Sequence, residues 1–293
     1  MRILVTGKDG QLGQSLQRLV SEKITSSQND NTFIFIGKED LDFVDSICIN
    51  DYFRKNSFDV VINCAAYTNV DKAESDKLIA NRVNHVAVKE IAKMSLKYSM
   101  RLIHISTDFV FDGHQNRPYI ESDNTSPLNA YGESKLAGEL ALLSILEVNG
   151  MIIRTSGVYS EFRNNFVKTI LNLAKKNSHL NIISDQTGAP TYADDLASAI
   201  LHIINSKKFA KLNRPSEIFH YTNDGALSWF DFANEILDIY GIKCTINPIK
   251  THEYPLPAKR PKYSLLNKNK IIEEFGVEVN NWKDSLRVCL KNL

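Results

Sequence analysis

Cysteine is scarce in this chain of 293 residues: Cys48, Cys64, Cys244 and Cys289 lie far apart, with no Cys-x-x-Cys and no His-x-x-x-His. That spacing argues against a zinc site and a disulfide framework, and leaves buried free thiols as the expectation. No charge of either sign prevails, since 35 Lys and Arg stand against 34 Asp and Glu. A nucleic-acid footprint and a polybasic membrane patch are therefore not expected, and small molecules are the expected partners. No apolar run approaches the ~18 residues of a membrane span, and the opening Met1-Arg2-Ile3-Leu4-Val5-Thr6 has no signal-peptide pattern, so a cytoplasmic protein is expected. Internal repeats and low-complexity tracts are lacking too; Ser26-Ser27-Gln28-Asn29-Asp30-Asn31 reads as a polar loop. What the chain has is apolar content, 43%, enough for the core of one large or two ordinary domains.

Ile3-Leu4-Val5 reads as a buried strand that stops at Gly7-Lys8-Asp9-Gly10-Gln11-Leu12-Gly13, after which Leu12, Leu16, Leu19 and Val20 recur at helical spacing. Strand, glycine turn and helix in that order let a backbone approach a pyrophosphate at a helix start, where unpaired N–H groups and the positive dipole end face the ligand. Residues 32–36 read as the second strand, whose end would meet an adenosine ribose. Acidic residues there suit a free 2′-hydroxyl and Lys38 suits a 2′-phosphate, so both NADH and NADPH stay open. Asp42 either contacts the adenine edge or starts the helix through Ile47, Asn50 and Phe53.

Residues 58–66 are nearly continuously apolar, as in a parallel sheet covered on both faces, and end in the small pair Ala65-Ala66, which lets a cofactor lie close to the backbone. The loop from Tyr67 to Asp71 follows. Another buried strand, 101–108, delivers Thr107 to the same carboxyl edge, where its hydroxyl can donate to a substrate carbonyl. His104, inside that run, reads as a packed core histidine. Then comes Ala130-Tyr131-Gly132-Glu133-Ser134-Lys135. Four apart on a helix, Tyr131 and Lys135 share a face, and a cation there lowers the phenol's pKa from about 10 so that it can exchange a proton.

These stretches resemble the extended short-chain dehydrogenase/reductases and, within them, the dTDP-4-dehydrorhamnose reductases. The carriers are the glycine turn, Asn63-Cys64-Ala65-Ala66-Tyr67-Thr68-Asn69-Val70-Asp71, Ser106-Thr107-Asp108-Phe109-Val110-Phe111, Ser126-Pro127-Leu128-Asn129-Ala130-Tyr131-Gly132, Asp185-Gln186-Thr187-Gly188-Ala189-Pro190-Thr191 and Arg260-Pro261-Lys262-Tyr263-Ser264. The last two are specific to the rhamnose branch. The resemblance implies a catalytic triad of Thr107, Tyr131 and Lys135, with Lys135 also on the nicotinamide ribose. It implies cofactor contacts from Gly7, Gly10, Gln11, Leu12, Gly13, Asp42, Ala65, Ala66 and Tyr67, and sugar-nucleotide contacts from Asn69, Asp108 and Arg260. A guanidinium fork suits a diphosphate. Many members carry Tyr at Phe109 and Trp at Gly157, both where the family touches the sugar. Some hold Mg²⁺ at a dimer contact through an acidic residue where this chain has Ser15, so no metal is expected here; a homodimer is compatible with the resemblance.

The fold implied is α/β, a Rossmann-type doubly wound parallel sheet with a smaller C-terminal α/β lobe. Residues 1–156 would form the nucleotide-binding domain, with 180–206 returning to it, and 157–293 mainly the substrate lobe. Residues 151–155 are expected as the sixth strand, 165–176 as a helix, and 180–184 as a strand rejoining the sheet. Ser228 caps a helix whose aromatics, including Trp229, are read as core. The implied reaction is NAD(P)H-dependent reduction of a dTDP-linked 4-keto-6-deoxysugar with Tyr131 as proton donor. The alternatives are another nucleotide-linked 4-keto sugar, or a non-catalytic NADP-binding regulatory subunit like the β subunit of methionine adenosyltransferase.

Overall fold

The computed structural model describes residues 1–24, 31–211 and 213–293, so the loop expected at 26–31 lies outside the described residues except for Asn31. In the first half, β1 (Arg2–Thr6), α1 (Gln11–Ile24), β2 (Thr32–Ile36), α2 (Ser46–Lys55) and β3 (Val60–Asn63) alternate as expected. Short α3 (Val70–Ala73) and α4 (Lys77–Asn81) lead through a π-helical turn at Arg82–Val86 into α5 (Ala87–Lys97), β4 (Arg101–Thr107), α6 (Ala130–Ile145) and β5 (Gly150–Thr155). The rest comprises β6 (Val158–Tyr159), α7 (Phe166–Ala174), β7 (His179–Ile183), β8 (Thr187–Gly188), β9 (Thr191–Tyr192), α8 (Ala193–Ile204) and α9 (Lys207–Ala210). Then come β10 (Glu217–His220), β11 (Leu227–Ser228), α10 (Trp229–Tyr240), β12 (Thr245–Ile249), α11 (Asn269–Phe275) and α12 (Trp282–Lys291).

Six parallel strands form the central sheet in the order β10-β5-β4-β3-β1-β2. Alternate residues of each strand face opposite sides. Ile3, Val5, Val60 and Ile62 join one core with α1, α8 and α11, while Leu4 and Val61 join the other with α2, α5 and α6. Burial on both faces is why these strands read as unbroken apolar runs. The strand order reverses between β1 and β3, opening a crevice at their carboxyl ends. A third core of α7, α10, α12, β7 and β12 makes the second lobe.

Several expectations change. The segment 151–155 is β5, the fifth strand along the chain in the sheet; the sixth is β10, which pairs with β5. The strand expected to rejoin the sheet at 180–184 instead pairs with β12 in the second lobe. Its exposed His179 and Asn181 suit a half-covered two-stranded ribbon, not a sheet covered on both faces. It is α8 that returns, burying Leu196, Ala197 and Ile200 against α1. The helix expected over 165–176 begins at Phe166, with the Asn165 side chain accepting from Lys168 N–H, and ends at Ala174. Helix α2 is capped by Asp45, which accepts from Ile47 N–H at 2.8 Å, and not by Asp42, which turns back to Val44 N–H. Of the free cysteines only Cys289 is buried; Cys48 is exposed because α2 turns Ile49 and Phe53 inward. Ser228 caps α10 in a reciprocal box with Asp231, as expected.

Candidate active site

A cleft of about 1340 Å³ lies at the carboxyl edge of the sheet, between it and the second lobe. Its floor is the glycine turn. Gly7 takes φ +71°, and a Cβ there would sit 2.8 Å from Ala65 N; a Cβ on Gly13 would run into the Gly7 carbonyl. Only glycine permits this close approach of β1, β3 and α1. Gly10, Leu12 and Gly13 line the cleft at the start of α1, a 14-residue helix with no acidic residue in its first turn. Its leading N–H groups suit a phosphate. Gln11 lines the cleft too, but its side chain is engaged across the lobes: it donates to the Val158 carbonyl at 3.0 Å and accepts from Ser160 and Asn165.

Beyond β2, Lys38 and Asp42 reach the same cleft. Glu39 and Asp40 are both drawn to Lys8, at 2.6 and 2.7 Å, which leaves Lys38 without an ion pair among the described residues. Ala65, Ala66 and Tyr67 continue the wall. The Tyr67 backbone N–H donates to Asn84 Oδ1 and its hydroxyl to Asp76. Asn84 sits in the π-helical turn, buried, and donates to the Tyr67 carbonyl and to Ser134 on α6. Sequence periodicity missed it, because a π turn breaks the 3.6-residue pattern by one residue.

The chemical groups face this floor. Thr107, at the end of β4, accepts from Phe109 N–H at 3.2 Å, and its hydroxyl proton goes to Asp108 Oδ1 at 3.1 Å. Tyr131 is hydrogen-bonded to Thr107. The Thr107 hydroxyl beside the phenol favours its ionised form. Lys135 is 1% exposed and donates to the Ile105 carbonyl at 2.6 Å, with His104 Nε2 at 3.3 Å. Burial pushes the phenol of Tyr131 up to about 12, reinforced by Asp108 and only partly offset by Thr107. Burial also brings Lys135 down to about 8 against the pull of Glu139 and Cys64. In this arrangement the amine of Lys135 is turned toward β4, and burial sets the direction of the phenol's shift.

Asp108 is 3% exposed, and burial raises its pKa despite hydrogen bonds from Ser264, Ser156 (2.8 Å) and Thr107. It ties the sheet edge to the second lobe. Arg260 lines the cleft, but its fork grips Asp71 at 3.1 and 2.7 Å and donates to the Ala258 carbonyl. Asn69 does not line the cleft: its side chain caps α3, accepting from Lys72 N–H at 3.0 Å. Phe109 and Gly157 both do, and Phe109 packs edge-on against Tyr131 with ring centres 5.9 Å apart. Gly157 takes φ +52°, and a Cβ on it would come 3.1 Å from the ring of Trp229. Trp229, expected in the core, thus supplies an aromatic surface where position 157 has none. It lines the cleft beside Phe166, ring centres 4.7 Å apart. Finally, two motifs distant in sequence lie side by side: Thr187 N–H donates to the Lys262 carbonyl at 2.7 Å, and Ser264 N–H to the Thr187 carbonyl at 2.8 Å.

An open parallel sheet, a glycine turn at its switch point and a Thr-Tyr-Lys group over the same crevice define a Rossmann-type reductase of the short-chain dehydrogenase class. Residues 1–293 match the family described as RmlD substrate binding domain. A dTDP-4-dehydrorhamnose reductase of Sinorhizobium fredii is 37% identical over 98% of this chain and 96% of its own. A solved dTDP-4-dehydrorhamnose reductase from Clostridium acetobutylicum superposes with a TM-score of 0.91 at 36% identity, covering 100% and 99% of the two chains. One from Bacillus anthracis, solved with NADP, gives 0.90 at 31% identity over 100% and 99%. The chain belongs to the dTDP-4-dehydrorhamnose reductase family and is an NAD(P)H-dependent oxidoreductase of that type.

Proposed function

We propose that this chain reduces the 4-keto group of dTDP-4-dehydro-L-rhamnose to give dTDP-L-rhamnose, with NADPH as the reductant and Tyr131 as the proton donor. The observation that carries this reading is the meeting of Thr107, Tyr131 and Lys135 with the glycine turn in one cleft. Residues 1–156, completed by α8 and β10, serve as the nucleotide-binding unit; the third core and the loop around Arg260 serve the sugar nucleotide.

A dinucleotide fits what is present: Gly7 and Gly13 leave no room for a Cβ, and α1 offers its N–H groups. Lys38, without an ion pair among the described residues and beside acids paired with Lys8, favours a 2′-phosphate and hence NADPH. When bound, the nicotinamide supplies the hydride. Tyr131 begins protonated, as its high pKa ensures, and passes its proton to the carbonyl oxygen. Thr107 fixes the direction of the phenol, and Lys135 holds the nicotinamide ribose. Arg260 would exchange Asp71 for the diphosphate, which presents the same bidentate oxygens.

The test follows the oxidation of NADPH and of NADH with dTDP-4-dehydro-L-rhamnose generated in situ. Turnover with neither reductant overturns the reading. A second reading, a different 4-keto-6-deoxysugar, is favoured by one observation: the sugar wall has Trp229 above Gly157 and a Phe109 without a hydroxyl. Comparing dTDP-, UDP- and GDP-linked 4-keto sugars separates the two. The intact Thr107, Tyr131 and Lys135 and the reductase relatives do not favour a silent regulatory subunit.

A further inference from the structure

Among the described residues, Ser99, Asn149, Arg163 and Asn213 are the non-glycine positions with a positive φ. Of these, Arg163 lines the cleft and the others do not. Its φ is +54°, a left-handed conformation that glycine adopts freely and that disfavours any residue with a Cβ. The side chain is exposed, so burial offsets none of that strain. Its neighbours hold the turn in place. Phe162 N–H donates to Ser160 Oγ at 3.1 Å, the Glu161 carbonyl accepts from Lys168 Nζ at 2.6 Å, and Asn165 Nδ2 donates to the Ser160 carbonyl at 2.7 Å. Ser160 and Asn165 both reach Gln11 Oε1, at 2.9 Å each, which anchors the turn on the start of α1. A strained residue fixed from both sides points to a side chain that is needed where it stands.

That place is over the glycine turn. Arg163 lies between β6 and α7, and its Nε donates to the Asp9 carbonyl at 2.6 Å, one residue before Gly10. The Asp9 carboxylate is turned to Gly37 and forms no ion pair with the guanidinium. Nη1 and Nη2 have no partner among the described residues, so the outer edge of the fork is open. The other cations lining the cleft are engaged or stand elsewhere. Lys72 is paired with Asp76, Arg260 with Asp71, and Lys135 donates to the Ile105 carbonyl. Lys38 follows β2, the strand beside β1. Arg163 is thus the cation with a free edge at the turn itself.

We propose that Arg163 is a cofactor-binding residue that grips the diphosphate of the nicotinamide dinucleotide from the side of the second lobe, sharing it with the leading N–H groups of α1. The proposal rests on the dinucleotide reading of the cleft given above and deepens it. The first turn of α1, Gln11-Leu12-Gly13-Gln14, offers backbone N–H groups and a dipole end but no side-chain cation. A diphosphate carries a full charge on each phosphate, and a guanidinium fork matches two of its oxygens at once. A glycine at 163 would form the same turn without strain and would supply no charge. The sugar nucleotide carries a diphosphate too. The bond from Arg163 to the Asp9 carbonyl puts its fork at the cofactor's, whereas Arg260 is held by Asp71, beyond β3. Because Arg163 precedes α7 and the glycine turn follows β1, the bound dinucleotide ties the second lobe to the sheet.

The test titrates NADPH and NADH by fluorescence into the full-length protein, as wild type and as variants. Arg163→Gly removes the fork and relieves the backbone together, so the two readouts should part. Kd for both reductants should rise about ten- to a hundredfold, while the thermal midpoint without cofactor holds or rises. Arg163→Lys keeps the charge without the fork and should lose less than Arg163→Gly. An equal loss for NADPH and NADH supports the proposal, because both carry the diphosphate. A loss confined to NADPH puts the fork on the 2′-phosphate and overturns it. Unchanged Kd values in either variant overturn it as well, and so does a rise in KM for the sugar nucleotide with cofactor Kd unmoved, which would give the fork to the substrate. If the wild type binds neither reductant, the dinucleotide reading falls and the proposal with it.

Discussion

Thr107, Tyr131 and Lys135 stand on one wall of the cleft and come from β4 and α6, which pack against each other at the sheet edge. The facing wall takes Gly157, Pro190, Trp229 and Arg260 from four separate segments. The first wall is held by backbone already fixed by the parallel sheet and by a buried polar network. The second depends on side chains reaching across loops, as when Trp229 covers Gly157. On the proposed reading the chemistry falls to the rigid wall, where a shift of an ångström costs rate, and the choice of sugar to the wall that loop substitutions can remake. Breaking one wall should therefore change kcat, and breaking the other KM.

The largest effect belongs to the chemical wall. Tyr131→Phe removes the donated proton while keeping the ring against Phe109, and kcat should fall by about 10²–10⁴. Affinity for NADPH, measured by fluorescence titration, and the thermal midpoint should hold. Near-normal kcat would remove Tyr131 from the mechanism.

The same wall should show in pH-dependent stability. Lys135 titrates at about 8 in the folded chain against an ordinary 10.5. Below pH 8 both states hold the proton and the cost of burying the charge is fully present. Between about 8 and 10 the unfolded chain keeps its proton while the folded one releases it, so unfolding free energy gains about 1.4 kcal/mol per pH unit from this group. Tyr131 works the other way: its raised pKa stabilises below 10, and that contribution is lost as pH rises toward 12. Urea unfolding at pH 8 and 10 should show Lys135→Met ahead of wild type by a margin that shrinks at the higher pH. A constant margin would mean the amine is not held low.

On the facing wall, Gly157→Trp should cost about 1–3 kcal/mol, since φ +52° strains any larger residue and the new side chain meets Trp229. KM for the sugar nucleotide should rise with little change in NADPH affinity. Trp229→Ala in the same chain should recover part of both losses if the two rings compete for one place.

The two walls were not equally legible in the sequence. Tyr131 and Lys135 could be paired from their spacing, and Thr107 from its place at a strand end, because helix and strand periodicity fix where such side chains go. Sheet membership beyond β5 was not legible: β7 and β10 are both short and apolar, and only tertiary pairing decides which of them joins the sheet. Trp229 was hidden for the same reason, since an aromatic at helical spacing reads as core until its neighbour proves to be a glycine. The resemblance marked Asn69 for the sugar, while its position before α3 makes it a cap. His104 read as core, which its burial bears out; that it touches Lys135 could not be seen without knowing that β4 lies under α6.

The smallest expected effect concerns a contact that spans both walls. Asp71, beyond β3, holds Arg260 of the facing loop, and the guanidinium keeps its carboxyl below the usual range. The side chains are 32% and 20% exposed, so solvent screens the pair, and its worth to stability should stay under about 1 kcal/mol. Its effect on binding has the opposite sign from that of a structural bridge. If Asp71 occupies the fork that the diphosphate needs, Asp71→Asn should lower KM for the sugar nucleotide a few-fold, most clearly at low salt, whereas Arg260→Lys should raise it by losing bidentate geometry. Should Asp71→Asn raise KM as Arg260→Lys does, the substrate would be reading the intact pair, and the carboxylate would belong to the sugar wall rather than stand in for the ligand.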